Sequence, residues 1–337
     1  MHQRGATLVC LLAAVSLGTA QRIVPLSHAV DVLTPASSLP ARFGAQLVEP
    51  IGCAQTSTGD YVILDRRAHT LYGVDAARTT MRKILQVGFE QGQVVQPGAL
   101  AVSRSDVIAV SDAPAGYERI QYFDANGTFQ GGFYLKAKAT PRLVAGRVML
   151  NGAGSMQFTG TSFLVNHPES SSLIQEIDLQ GQERRRIGTL RATGLESDPA
   201  VHLAMNTGIP LVDPTGGFLF VFQAGVPAFR KYDAAGALVY ERHIEGVELD
   251  DALGGLPTMW ARPADTLPII EPLIRTAAVD ARGTLWVSLT RPYTYVYDAA
   301  GDKVRTVQFR GTSLIAPTSL TFTRNGRLLV TPGCDEF

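Results

Sequence analysis

The amino-acid sequence predicts an all-β protein, a six-bladed β-propeller built from four-stranded antiparallel blades. Three observations predict it: a turn that keeps returning, short apolar strands on either side of it, and copies roughly 45 to 65 residues apart, the range of propeller blades. The turn reads YFDANG at Tyr122–Gly127, KYDAAG at Lys231–Gly236 and VYDAAG at Val296–Gly301. Asp accepts backbone hydrogen bonds where such a turn begins, and Gly tolerates positive φ where it ends, so each copy reverses two antiparallel strands.

Taken in chain order, the copies cover Thr58–Asp75, Arg104–Gly127, Thr159–Gly181, Thr215–Gly236 and Arg282–Gly301, with a shorter sixth at Arg324–Phe337. Each of the five full copies begins with a polar or Gly-containing turn, enters a short strand of Val, Ile, Leu, Phe or Tyr, crosses a polar loop, and ends a second strand at an Asp (Asp75, Asp124, Asp178, Asp233 and Asp298). In the first copy the Gly is missing: VDAARTT stands where the others have Asp-x-x-Gly. One such blade cannot bury both faces by itself, and neighbours packed around a ring cover them. The ERRRIG run (Glu183–Gly188) reads as the solvated edge of a strand rather than a site.

The sixth copy stops before its outer strands, which would leave a sheet edge open. RIVPLSHAVDVL (Arg22–Leu33) has the apolar content to supply the missing strands and close the ring. That closure would put Cys53, on the first strand of blade one, beside Cys334, after the last strand of blade six. A Cys53–Cys334 disulfide is therefore expected. It needs Cα atoms within about 7 Å, and in the chain-entropy model it adds about 4–5 kcal/mol.

The chain has 337 residues, 45% hydrophobic and 18% charged, with a formal net charge of zero. It can bury a large core, and it lacks the broad basic face that holds nucleic acid. Residues 1–20 carry a short basic start (His2, Arg4), the apolar run ATLVCLLAAVSLG, and small residues at Gly18 and Ala20. This is the pattern of a cleaved signal peptide, too short to span a bilayer. The expectation is a secreted or periplasmic monomer, residues 21–337, with no membrane anchor after cleavage. An NGT sequon at Asn126–Thr128 matters only where the secretory route glycosylates.

The first-to-second and third-to-fourth turns are tight and share one face of the disc. The other, upper face receives the second-to-third loops and the connections between blades. The long segments 135–154, 188–208 and 246–275 belong there, and long loops are disproportionately functional. Segment 246–275 carries Trp260, Arg262, Glu271 and Arg275, a composition common in binding hot spots, although Trp260 could equally fold back over a blade flank. A helical turn is expected at Glu248–Leu253. The second-to-third loops add Arg66, Arg67 and His69, then Glu118, then His167 and Glu169, then Arg291 and Tyr293. Aimed at one mouth, these residues would favour an anionic or sugar-like ligand.

PGALAVSRSDVIAVSDAPAGYERIQYFDANGTF (Pro97–Phe129) resembles an NHL-type propeller repeat, and APTSLTFTRNGRLLVTPG (Ala316–Gly333) resembles its first half. The resemblance implies six blades and no catalytic residue. A second resemblance, to calcium-dependent lactonases of the gluconolactonase type, rests on LVEPIGCA (Leu47–Ala54), with Glu49, and on RTAAVDARGTLWVSL (Arg275–Leu289). The Asp and Asn of that family's channel mouth have no matching motif around Asn151 or Asn206, and Asp280 reads as a turn residue. No zincin, nucleophile-elbow, Walker, C-x-x-C or EF-hand motif occurs. His69, His167 and His202 could meet only through the ring geometry. Two functions stay open. One is a recognition module for a protein, peptide or glycan that needs no cofactor. The other is a hydrolase or lactonase using a divalent cation.

Overall fold

The structure, a computed structural model, describes residues 30–138, 143–145, 148–150, 155–255 and 270–337. Six antiparallel sheets follow one another along the chain. Blade one runs Pro50–Gln55, Tyr61–Asp65, Thr70–Val74 and Met81–Lys83. Blade two runs Ala99–Val102, Ile108–Asp112, Tyr117–Phe123 and Phe129–Lys138. Blade three is Met156–Phe158, Ser162–Val165, Ser172–Asp178 and Glu183–Thr189. Blade four is Gly208–Val212, Phe218–Phe222, Ala228–Tyr232 and Leu238–His243. Blade five is Ile274–Val279, Leu285–Leu289, Thr294–Tyr297 and Lys303–Arg310. Blade six has Ser319–Phe322, Leu328–Thr331 and the short Asp335–Glu336.

The buried clusters prove the ring. One lies between each pair of neighbours, from Leu64 and Val110 between blades one and two to Val296 and Leu328 between five and six. The circuit ends where Ile63 and Tyr72 of blade one meet Leu329 of blade six. Fully buried Phe123, Phe163, Phe220, Phe229 and Tyr295 are the bulk of these layers. Burying such a side chain contributes about 1.5–3 kcal/mol. Cys53 and Cys334 sit in the last of these clusters and form the expected disulfide, their Cα atoms 5.7 Å apart.

The described part of the N-terminal segment, residues 30–33, pairs elsewhere than expected. Val30–Leu33 pairs in parallel with the outer strand of blade five, opposite Thr306 to Phe309, not with blade six. Asp31 meets Arg305 at 2.8 Å. Among the described N-terminal residues, blade six receives an isolated bridge between Ser37 and Glu336, and the Ala36 amide donates to Glu336 O at 2.7 Å. An apolar segment will pair with a free edge, but its composition does not say which edge. Residues 1–29 lie outside the described residues.

The recurring turn works as its sequence suggests. Asp124 Oδ1 accepts from the amides of Asn126 and Thr128, each at 2.9 Å, and Gly127 takes φ +88°. Asp178 and Asp298 do the same. In the first copy Arg78 occupies the glycine position at φ +56°. Its guanidinium lies over the Tyr61 ring, 4.6 Å from the centroid, and 3.8 Å from Glu336 of blade six, so a contact across the seam accompanies the unusual conformation. The ERRRIG arginines do lie on an outer strand, Glu183–Thr189.

These turns carry a pH dependence. The Thr79 hydroxyl, joined by the Thr79 and Thr80 amides, holds the Asp75 carboxyl down to about 2. Hydrogen bonds led by the Thr128 amide also hold Asp124 below the ordinary range. A depressed folded pKa stabilises above the unfolded value of about 3.9 and is lost as pH falls through the folded value. The urea midpoint should therefore be level near neutrality and fall steadily between about pH 4.5 and pH 2. A midpoint that stayed constant across that acid range would show that the turns are not coupled to folding.

Candidate functional site

Because consecutive strands alternate in direction, the upper face is built from the starts of the first strands, the ends of the second strands and the connections between blades. Several polar groups there are committed to the protein itself. Asp65, buried at the end of the second strand of blade one, accepts from the amides of Val48 (2.6 Å), Glu49 (3.0 Å) and Ala68 (2.9 Å). On blade two, Asp112 takes a bidentate pair from Arg119, Nε to Oδ1 at 2.9 Å and Nη2 to Oδ2 at 2.7 Å. The same guanidinium donates to the carbonyls of Phe89, Glu90 and Gln93 and so ties down the connection from blade one.

Blades three and four follow this pattern. Asn166 donates to Leu173 O and Asn206 O and accepts from the Gly208 amide. Asn206 accepts from the Arg191 amide and donates to Arg191 O and His202 O. Arg191 donates to Val226 O (2.7 Å), Met205 O (2.9 Å) and Ala224 O, and stacks 4.1 Å from the centroid of the Phe222 ring. Burial, and then the neighbouring Arg230 cation, lower its pKa to about 10. Arg191 is a strut joining the third connection to the top of blade four.

Blades one and five leave a different set. Glu49, just before the first strand of blade one, is ion-paired with Arg66 in the following loop. Arg275, near the start of blade five's first strand, is half-buried. Its guanidinium makes no hydrogen bond or ion pair among the described residues. Burial lowers its pKa, the Arg66 cation lowers it further, and the Glu49 carboxylate partly opposes both. Blade six stands between blades one and five, so these charges reach one another only near the hub. Polar groups of blade six line the same sector. Thr318 Oγ1 donates to Pro50 O at 3.2 Å, and the Ser319 and Thr331 hydroxyls lie 2.7 Å apart.

The other candidate residues are dispersed. Arg67 is exposed beside Arg66. His69, at φ +51°, accepts the Gln96 amide on Nδ1 at 2.8 Å, so it faces the first connection. His167 is buried with Nε2 3.6 Å from Glu169 Oε2. Glu118 is also buried. Arg291 donates to Glu248 O at 3.1 Å, and Tyr293 packs on the core between blades four and five. Glu271 is exposed. Trp260 and Arg262 lie outside the described residues, as does Asn151. His202 pairs with the Thr193 hydroxyl at 2.8 Å, so each of the three imidazoles has its own local partner. Asp280 is a turn residue, accepting from Arg282 N and Thr284 N at 2.9 Å each.

Two of the long segments differ at their borders. Strand Phe129–Lys138 runs past 135, and strand Glu183–Thr189 past 188, because outer strands carry polar residues that resemble loop in sequence. The expected helical turn appears as Val247–Gly254, held where the Tyr295 hydroxyl donates to Glu248 Oε2 at 2.5 Å. A second helix, Pro199–Met205, escapes the sequence reading. Its signal was present in Asp198, whose side chain caps Val201 N, followed by Pro at the first turn.

No family model matches the chain, and no curated protein matches it. Solved structures do. A streptogramin B lyase matches with TM-score 0.52 and 12% identity over 85% of this chain and 91% of that one. The virginiamycin B lyase of Staphylococcus aureus gives 0.51 and 11% over 84% and 77%. A gluconolactonase of Xanthomonas campestris gives 0.51 and 16% over 86% and 85%. At these identities the likeness is one of fold, and the fold is the six-bladed propeller.

Proposed function

We propose that the protein is an exported recognition module that binds a carboxylate-bearing ligand, an acidic glycan or peptide, at the upper mouth of the hub. The observation that carries this reading is the half-buried Arg275 guanidinium, unpaired among the described residues and set beside the Arg66–Glu49 ion pair. A desolvated cation without a partner favours an incoming carboxylate, which Arg meets bidentately. The adjoining Glu49 would orient Arg66 and leave the mouth net positive. Export is supported by the leader of residues 1–20 and by the disulfide. No helix of the described residues is long and apolar enough to cross a membrane.

The alternative is enzymatic, a cation-dependent lactonase or another hydrolase, and a gluconolactonase is among the fold neighbours. For that chemistry Glu49 would have to leave Arg66, and Asn206 its three backbone partners, so the recognition reading is preferred. Calorimetry with trigalacturonate and with an acidic peptide tests it. Arg275→Gln should weaken the carboxylate probe by about 10- to 100-fold, as loss of a charged hydrogen bond implies. It should leave the thermal midpoint unchanged or raised, since no partner among the described residues is lost. Absence of binding by wild type, or equal binding by the variant, overturns the reading. Chelator-sensitive hydrolysis of δ-gluconolactone would put the enzyme in its place.

A further inference from the structure

We propose a second ligand site, separate from the hub, in the outer groove between blades three and four. It would take a small hydroxylated molecule bearing an oxyanion, such as a sugar phosphate or a sugar acid. The groove, open to solvent, offers a volume of about 390 Å³. Its walls present two cations, Arg186 and Arg230, and the hydroxyls of Ser170, Ser172, Thr189 and Tyr232, with no carboxylate among the lining residues.

Both guanidiniums are held in place. Arg186 Nε is 2.8 Å from Glu183 Oε1, and its Nη1 donates to Ser170 O at 3.0 Å. Arg230 Nε is bound to Glu241 Oε2, and its Nη1 donates to Thr189 O at 2.9 Å. In each, Nη2 has no hydrogen bond among the described residues. A carboxylate therefore holds the Nε of each arginine, leaving its Nη2 for an external acceptor.

The observation pointing to a ligand is Tyr232. It is 2% exposed and its hydroxyl has no hydrogen-bond partner. The Arg230 guanidinium is the cation nearest the hydroxyl and partly offsets the effect of burial on it. A buried hydroxyl left unpaired is unfavourable, and native proteins rarely keep one without a reason. The hydroxyl abuts Gly188, whose φ is +72° and where a Cβ would collide with it. Tyr232 and Gly188 both line the groove, so a slight opening between the blades offers this donor to an acceptor in the cavity. The space exceeds one inorganic oxyanion, and hydroxyls surround the two cations. Both facts favour an oxyanion carried on a polyol.

The test is calorimetry on the full exported chain with glucose 6-phosphate, glucuronate, glucose and inorganic phosphate. At least one of the two charged sugars should bind, and the one that does identifies the oxyanion. Glucose and phosphate alone should be about tenfold weaker or worse. Tyr232→Phe should reduce affinity for the charged sugar by about 3- to 10-fold. A merely structural hydroxyl would make that variant less stable; here its thermal midpoint should hold or rise. Arg186→Gln, at an exposed position, should also weaken binding, whereas Arg275→Gln should not change it. No heat with either charged sugar overturns the proposal. So does wild-type affinity in both Tyr232→Phe and Arg186→Gln. Binding lost only in Arg275→Gln would assign the ligand to the hub and overturn the groove.

Discussion

Replacing Cys53 and Cys334 together by alanine should lower the stability of the protein by about 3–5 kcal/mol, a fall of roughly 5–10 °C in thermal midpoint. The bond joins residues 281 apart in sequence, so it removes a large part of the unfolded chain's freedom. It also closes the final interface. Both cysteines are buried among Phe43, Tyr61, Ile63 and Leu329, where the first and last blades meet. Wild type unfolded in reductant should match the alanine pair, which separates loss of the bond from loss of the sulfur atoms. Equal midpoints for oxidised wild type and the variant would show that packing alone holds the seam.

Arg119→Met should cost about 3–5 kcal/mol, the usual effect of removing one partner from a buried pair. The Asp112 carboxylate is fully buried and would lose both of its short contacts to the guanidinium. Three carbonyls, those of Phe89, Glu90 and Gln93, would lose donors at the same time. Urea denaturation reads the global effect. Hydrogen exchange should show faster exchange in the connection that Arg119 anchors, residues 86 to 95. If exchange there is unchanged, the arginine serves only Asp112. The pair is a bidentate one, so Arg119→Lys should recover only part of the loss.

The blades were legible because their grammar is local. Asp-x-x-Gly fixes a turn within four residues, and the neighbouring apolar runs have no other use. Even the exception was informative: VDAARTT forms the same turn, with Arg78 in the glycine's conformation. The cysteine pairing followed from the ring, because circular closure is the arrangement that brings such distant residues together. The helix Pro199–Met205 was hidden because seven residues with Val201, Ala204 and Met205 inward make too short a pattern to stand out from a loop. The site was the least legible part. Arg119, Arg191 and Arg275 look alike in a sequence. One neutralises a buried carboxylate, one braces carbonyls, and one is unpaired among the described residues. That distinction depends, for Arg191, on partners 14 to 35 residues away, and, for Arg275, on the charges of Arg66 and Glu49 brought near it by the ring.

The Cys53–Cys334 link has a topological consequence. With its sulfurs joined, residues 53–334 form one covalent macrocycle. A single peptide bond cut anywhere inside that loop leaves one covalent molecule rather than two pieces. The protein would thus tolerate a nick in any exposed hairpin without shedding a blade, and only reduction would release the fragments.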